Sequence, residues 1–335
     1  MKLPRELREL GQTARAALRS IAELIGDSLA REPAGAPSAE VSDVRKTVEV
    51  RDFGSNPGNL RMLVQPPSRA SRRGAPLVVV LHGCAQEAVG FATDAGWTTF
   101  ADQHGFPLLM PEQLRENNHA HCFNWFQPEH GRRGHGEALS IRQMVAASVE
   151  RFGVDSRRVF IVGLSAGAAM TAAMMAAYPD VFAAGAVVAG LPVGCARGMA
   201  QAFVRMAHAG PNLSAEEWAA KVRASAPSDY RGRFPRISIW HGAEDNVVDP
   251  ANARLLVEQW TAVHGFGGTE GSQTSPAPGV SRRIWGTAAQ PAVELWRMDH
   301  LRHAYPINGI GHPSEWVARA PVSATHAIAR FWDLR

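Results

Sequence analysis

Val159-Phe160-Ile161-Val162-Gly163-Leu164-Ser165-Ala166-Gly167-Ala168-Ala169-Met170 is the stretch on which the fold turns. Its first four residues are apolar without alternation, the pattern of a strand covered on both faces. An alanine-rich run to Ala177 follows and stops at Tyr178-Pro179, so the spacing predicts a helix from Ala166 to Ala177. Between strand and helix sits Gly-x-Ser-x-Gly. A serine on so sharp a turn projects its hydroxyl out of the sheet, and glycines on either side let backbone approach backbone. The helix N-terminus supplies a positive dipole end where an oxyanion would form. Ser165 therefore reads as a nucleophile, with a plain Gly/Ser turn as the alternative.

The same grammar repeats on either side. Leu77–Leu81 is another continuous apolar run, ended by His82-Gly83, and Phe106–Met110 is the next, stopped by Pro111. Glu137–Phe152 carries apolar residues at helical spacing: Ile141, Met144, Val145 and Val149. Ala186–Ala189, Ile237–Trp240 and Val293–Met298 read as further strands, Ala251–His264 and Val322–Trp332 as helices. Val48–Phe53 and Leu60–Val64, around a Gly/Asn/Pro turn, resemble an antiparallel start. Alternation of this kind predicts an α/β protein: a mostly parallel sheet with helices on both faces. Gly265–Gly279 reads as a flexible loop.

Three more motifs fall where such a sheet would place chemistry. His82-Gly83-Cys84-Ala85-Gln86 follows an early strand, the position of a second oxyanion donor. The backbone N–H groups of Cys84 and Ala166 are the expected pair. Cys84 could instead be a nucleophilic thiol served by His82, or a buried structural thiol. His241-Gly242-Ala243-Glu244-Asp245-Asn246-Val247-Val248-Asp249-Pro250 follows a late strand, where a triad acid belongs. Asp245 is the choice, ahead of Asp249 and Glu244. Gly309-Ile310-Gly311-His312-Pro313 follows in turn, and the order Ser165, Asp245, His312 is nucleophile, acid, base. His300 and His303 lie in the same stretch and could be the base in its place, or polar surface. They also have metal-ligand spacing, but no carboxylate or cysteine pattern completes a site, so no metal or other cofactor is expected.

The chain has 335 residues, 45% hydrophobic and 20% charged. That balance supplies a large core and excludes global disorder or a small disulfide scaffold. The net charge of +4 comes from scattered arginine pairs rather than one stripe, which argues against a nucleic-acid binder. No apolar run reaches the roughly 18 residues of a membrane span. The three cysteines cannot all pair within the chain, and no CxxC occurs. Residues 1–31 place Leu3, Leu7, Leu10, Ala14, Ala17, Ile21 and Ile25 at helical spacing among charges. This predicts an amphipathic helix, docked on the body or forming a contact face for a partner or an apolar surface such as a granule. It lacks the basic-then-apolar order of a cleavable signal. Residues 33–43 are rich in Pro, Ala and Ser, so the expected division is a helix and linker over 1–43 and a catalytic domain over 44–335.

Five runs together resemble the poly(3-hydroxybutyrate) depolymerase family of esterases. They are LHGCAQEAVGFATDAGWTTFADQHGF, MPEQLRENNHAHCFNWF, RRGHGEALSIRQMV, VFIVGLSAGAAMTAAMMAAYPDVFAAGAVVAGLPVGCA and HGAEDNVVDP. The resemblance covers roughly residues 45 to 335. It implies an α/β-hydrolase fold with a serine triad acting on carboxylic esters, short-chain polyhydroxyalkanoates among them. Acetylxylan and feruloyl esterases are similar in sequence and widen the substrate range; an acyltransferase and a non-catalytic granule-binding protein are the rival functions. By their positions in the shared motifs, Ser165, Asp245 and His312 take the triad roles, Cys84 the oxyanion role, and Trp125 a place near the substrate. The resemblance also implies that Cys122 and Cys195 lie close enough for a disulfide, leaving Cys84 reduced. It implies secretion too, against which residues 1–31 point to a cytoplasmic alternative. No polymer-binding module follows His312, which favours soluble oligomers or small esters.

Overall fold

Runs of β-branched residues with no polar partner must be covered on both faces, and they build the middle of the sheet. In a computed structural model, which describes residues 47–68 and 74–334, ten strands form it. They are β1 (Val48–Val50), β2 (Arg61–Gln65), β3 (Leu77–Leu81), β4 (Leu108–Glu112), β5 (Val159–Leu164), β6 (Ala184–Val188), β7 (Arg236–Gly242), β8 (Ser272–Ala277), β9 (Val280–Gly286) and β10 (Pro291–Met298). Their order is β1-β2-β4-β3-β5-β6-β7-β10-β9-β8. The six central strands, from β4 to β10, are parallel. Antiparallel pairs close both edges. Every residue of β3 and β5 is buried, which is why both read as unbroken apolar runs. A small two-stranded sheet, β11 (Tyr305–Ile307) with β12 (Val317–Arg319), lies beyond β10.

Helices cover both faces. On one side, the apolar faces of helices Gly136–Phe152, Ala166–Ala177 and Ala251–Val263 pack on the sheet through Met144, Met170, Met174, Leu256 and Trp260. On the other, Phe91, Trp97, Phe100 and Ile328 belong to a second apolar layer. There Trp332 stacks between Trp97 and Phe160, with ring centroids at 5.5 and 5.1 Å. Truncating such a buried aromatic costs about 3–5 kcal/mol. A third, smaller cluster, including Phe126, Leu191, Cys195, Ala202 and Trp218, forms at the carboxyl ends of the strands. Among the described residues no helix is long and apolar enough to cross a membrane.

The mostly parallel sheet with helices on both faces that the alternation predicts is present, in the α/β-hydrolase architecture that the resemblance implies. Two local readings are corrected. Part of the expected loop Gly265–Gly279 is edge strand β8, hydrogen-bonded to β9. Its Ser, Gln, Thr and Pro side chains are exposed, so it never acquires an apolar face to betray it. A proline survives there because the ladder shifts between Thr274 and Ala277. Likewise β4 runs through Pro111 to Glu112. Beyond Leu109 only β2 pairs with it, so an unbonded edge accommodates the missing N–H. The helix and linker expected over residues 1–43 lie outside the described residues.

Candidate active site

Parallel strands all point one way, so loops leaving their carboxyl ends converge on one rim. Ser165 follows β5, Cys84 follows β3, and the Asp245 loop follows β7. Ser165 has φ 55° and ψ −117°, a positive-φ conformation costing about 1–3 kcal/mol and held only by its surroundings. Its N–H donates to Val188 O at 3.0 Å, and its carbonyl accepts from Ala169 N–H at 2.9 Å. The flanking glycines are required by contact. A Cβ on Gly163 would lie 2.3 Å from the Gly167 carbonyl, and one on Gly167 would lie 2.4 Å from the carbonyl oxygens of Leu81 and His82. The helix thus begins pressed against the end of β3, which brings Ser165 beside Cys84.

Ala166 is the first residue of its helix, where an N–H has no intrahelical partner. In the facing loop, Gly83 N–H is taken by Gln86 Oε1 at 2.7 Å and Ala85 N–H by Ala120 O at 2.8 Å. Cys84 N–H lies between them. Cys84 and Ala166 line the same cleft as Ser165, about 380 Å³ in volume. One wall is apolar, with Trp125, Phe126, Leu191, Phe203 and Met206; the segment Arg115–Ala120 forms a polar rim. Trp125 is half-buried on that wall, edge-on to Phe126 at 5.6 Å.

Asp245 is buried. Its Oδ1 accepts from the N–H groups of Val247 and Val248 at 2.9 and 2.8 Å. Its Oδ2 lies 2.8 Å from His303 Nδ1 and 3.1 Å from His241 Nε2. Burial alone would raise its pKa, but the charge of His303 and the hydrogen bonds from His241 and His303 outweigh burial and hold the carboxyl well below the usual range. An ionised carboxylate only accepts, so His303 Nδ1 carries a hydrogen, and in the neutral ring the lone pair is on Nε2. His303 and Ser165 both line a narrow cavity of about 30 Å³ with Gly83, Cys84 and Trp316.

His312, the expected base, is not at this site. It is exposed, and its N–H donates to Asp94 O at 2.9 Å. Of the two glycines that marked its loop, Gly311 serves that docking, since a Cβ on it would lie 2.3 Å from Asp94 O. The chain reaches His303 by a shorter route. Met298 O and Leu301 O accept from Ala243 N–H and Glu244 N–H at 2.8 and 3.1 Å, clamping the exit of β10 to the Asp245 loop. The sequence does carry a signal for this: His303 lies five residues past the end of a parallel strand, whereas His312 follows another strand, β11. Neither His300 nor Asp249 lines the cavity that Ser165 shares with His303. His300 pairs with Glu244 on the surface at 3.1 Å. Asp249 caps Ala251 N–H at 2.9 Å and accepts from Ala209 N–H at 3.0 Å, bracing the acid loop against the cleft.

The cysteine expectation is also corrected. Cys84 is joined to Cys122, with Cα atoms 4.3 Å apart, and the free cysteine is Cys195. Cys195 sits in the third apolar cluster, where burial pushes its thiol up to about 12. Cys84 therefore offers no thiol nucleophile, and its disulfide staples the loop after β3 to the cleft wall. Behind that wall, burial pushes Glu137 up to about 7 and His82 down to about 4.

The family model described as esterase PHB depolymerase matches residues 60–278. That span holds Cys84, Ser165 and Asp245 and ends before either histidine. The chain is 38% identical over 300 residues to poly(3-hydroxyalkanoate) depolymerase C of Paucimonas lemoignei, covering 88% of this chain and 71% of that protein. It is 32% identical over 270 residues to feruloyl esterase B of Talaromyces stipitatus, covering 79% and 71%. Among solved structures it is similar to an acetyl xylan esterase from Aspergillus awamori, with TM-score 0.74, 25% identity, and 87% and 100% of the two chains covered.

Proposed function

This chain belongs to the esterase PHB depolymerase family, and on that premise we propose that it hydrolyses esters of short 3-hydroxyalkanoate chains through an acyl-enzyme on Ser165. It is a carboxylic ester hydrolase. The observation that carries the proposed chemistry is the buried Asp245–His303 pair opening onto the cavity that Ser165 lines. In this reading His303 Nε2 takes the Ser165 proton as the hydroxyl attacks the ester carbonyl. Asp245 holds the imidazole in the required tautomer and stabilises the imidazolium. The N–H groups of Cys84 and Ala166 receive the oxyanion, each worth about 3 kcal/mol of barrier. His303 then protonates the departing alcohol, and water releases the acid from the serine.

Two features support the substrate class. The relative at 38% identity is a poly(3-hydroxyalkanoate) depolymerase. The cleft has small-molecule dimensions, and its wall of Trp125, Phe126 and Leu191 suits a methyl-bearing acyl chain. A second reading, an acetylxylan- or feruloyl-type esterase, draws support from the other relatives and from the polar rim Arg115–Ala120. The deciding measurement compares kcat/KM on p-nitrophenyl esters from C2 to C12, on 3-hydroxybutyrate oligomers, and on acetylated and feruloylated oligosaccharides. Preference for the hydroxybutyrate oligomers is expected; preference for the sugar esters would overturn the assignment in favour of the second reading. Asp245→Asn should cost roughly 10⁴-fold in kcat by wrong tautomer. Asp249→Asn should leave kcat within about threefold and lower the melting temperature, since Asp249 caps and braces. The reverse outcome would move the acid to Asp249.

The apolar periodicity of residues 1–31 supports a contact role at an apolar granule or polymer surface. Deleting residues 1–43 should then abolish sedimentation with polymer particles and spare ester hydrolysis; unchanged sedimentation would remove that role.

A further inference from the structure

Glu137 is the second residue of helix Gly136–Phe152, a position where a carboxylate usually meets water. Here it is fully buried. Three donors converge on it. Asn124 N–H reaches Oε2 at 2.9 Å, and Asn124 Nδ2 and Gln113 Nε2 each reach Oε1 at 2.7 Å. His130 Nδ1 stands further off, 3.5 Å from Oε1. The Gln113 amide is oriented by Leu114 N–H, which donates to its Oε1 at 3.0 Å, so its nitrogen must face Glu137. The same nitrogen donates to Cys122 O at 3.2 Å.

The backbone of Gln113 continues the chain of contacts. Its N–H donates to His82 Nε2 at 3.1 Å, which requires the His82 hydrogen on Nδ1. That hydrogen is donated to Gly83 O at 2.7 Å. The Gly83–Cys84 peptide is trans, so its C=O and N–H point in opposite directions. Anchoring the Gly83 carbonyl on His82 turns Cys84 N–H to the other side of the loop. Cys84 is in turn bonded to Cys122, two residues before Asn124. The links close a ring: Glu137, Gln113, His82, Gly83, Cys84, Cys122, Asn124 and back to Glu137.

We propose that Glu137 is a positioning residue of the esterase, the hub of a closed ring that aims the Cys84 N–H at the oxyanion and fixes the Asn124–Trp125 wall of the cleft. The inference rests on the acyl-enzyme reading of Ser165. It accounts for a carboxylate kept in the interior, where three N–H donors on two residues, Asn124 of the cleft wall and Gln113 directly after β4, compensate its burial. An oxyanion donor acts in the transition state more than in the ground state, so misaiming it lowers kcat and spares KM.

The test is Glu137→Gln, which keeps the size and turns one acceptor into a donor facing donors. Steady-state kinetics on p-nitrophenyl acetate are measured beside wild type and Ser165→Ala, with thermal melting of each. The expected result is a kcat lower by roughly 10- to 100-fold with KM within about threefold. Glu137→Asp, which keeps the charge, should recover part of the kcat and also serves if the glutamine variant fails to fold. A folded variant with kcat within about twofold of wild type, whatever its melting temperature, overturns the proposal, as does a change confined to KM. Residual turnover by Ser165→Ala would instead defeat the acyl-enzyme reading itself. An inactive Ser165→Ala beside an unaffected Glu137→Gln defeats only the role of Glu137.

Discussion

Ser165→Ala is expected to lower kcat by roughly 10⁶-fold while leaving the melting temperature nearly unchanged. The two halves have different physical origins. In the proposed mechanism turnover depends on the Oγ as nucleophile, and neither cysteine near the cleft replaces it: Cys84 is locked in a disulfide and Cys195 is buried with its thiol pushed up to about 12. The fold depends on the backbone of residue 165, whose N–H and C=O are bonded to Val188 and Ala169. Those bonds survive the substitution, and alanine occupies φ 55° at a cost similar to that of serine. Circular dichroism, thermal melting and p-nitrophenyl butyrate hydrolysis decide it together. A folded alanine variant with more than about 1% of wild-type kcat would remove Ser165 from the reaction.

His303→Ala is expected to cost about as much as losing the serine, since in the proposed mechanism nucleophile and base act as one unit. His312→Ala should stay within about threefold of wild type. The contrast follows from geometry. His303 Nδ1 is 2.8 Å from a carboxylate held below its usual range, in the cavity that Ser165 lines. His312 is exposed and tied to Asp94 through its backbone, which an alanine keeps. Removing the His303 ring leaves Asp245 with His241 and two backbone donors, so the acid loop should hold and the loss should appear in kcat/KM. Full activity in His303→Ala with loss in His312→Ala would return the base to His312.

Much of the architecture was legible because burial on both faces leaves a local trace. Leu77–Leu81 and Val159–Val162 are apolar without alternation because helices cover both sides, and the Ala166–Ala177 helix announces itself by composition. Gly163 and Gly167 carry their reason in the sequence too, since strand-to-helix contact excludes a Cβ. Edge strand β8 left no such trace, because its side chains face water and its pairing to β9 is made by backbone alone.

The residues whose place chain position alone specifies are those set within a dozen neighbours. Ser165 sits on its own turn, Cys84 directly after β3, and Asp245 in the loop that leaves β7. The histidine that meets Asp245 and the disulfide are different in kind. His300, His303 and His312 lie in one stretch of similar composition, and the choice among them depends on which carboxylate each meets. Only the clamp between the exits of β7 and β10, and the docking of Gly311 on Asp94, settle where each ring goes. Cys122 likewise could pair with either other cysteine until the β3 loop and the cleft wall were folded together. Backbone pattern is a local property of the chain. Side-chain partnership across 38 residues or 58 is a property of the packed sheet, and it exists only once the strands are in register.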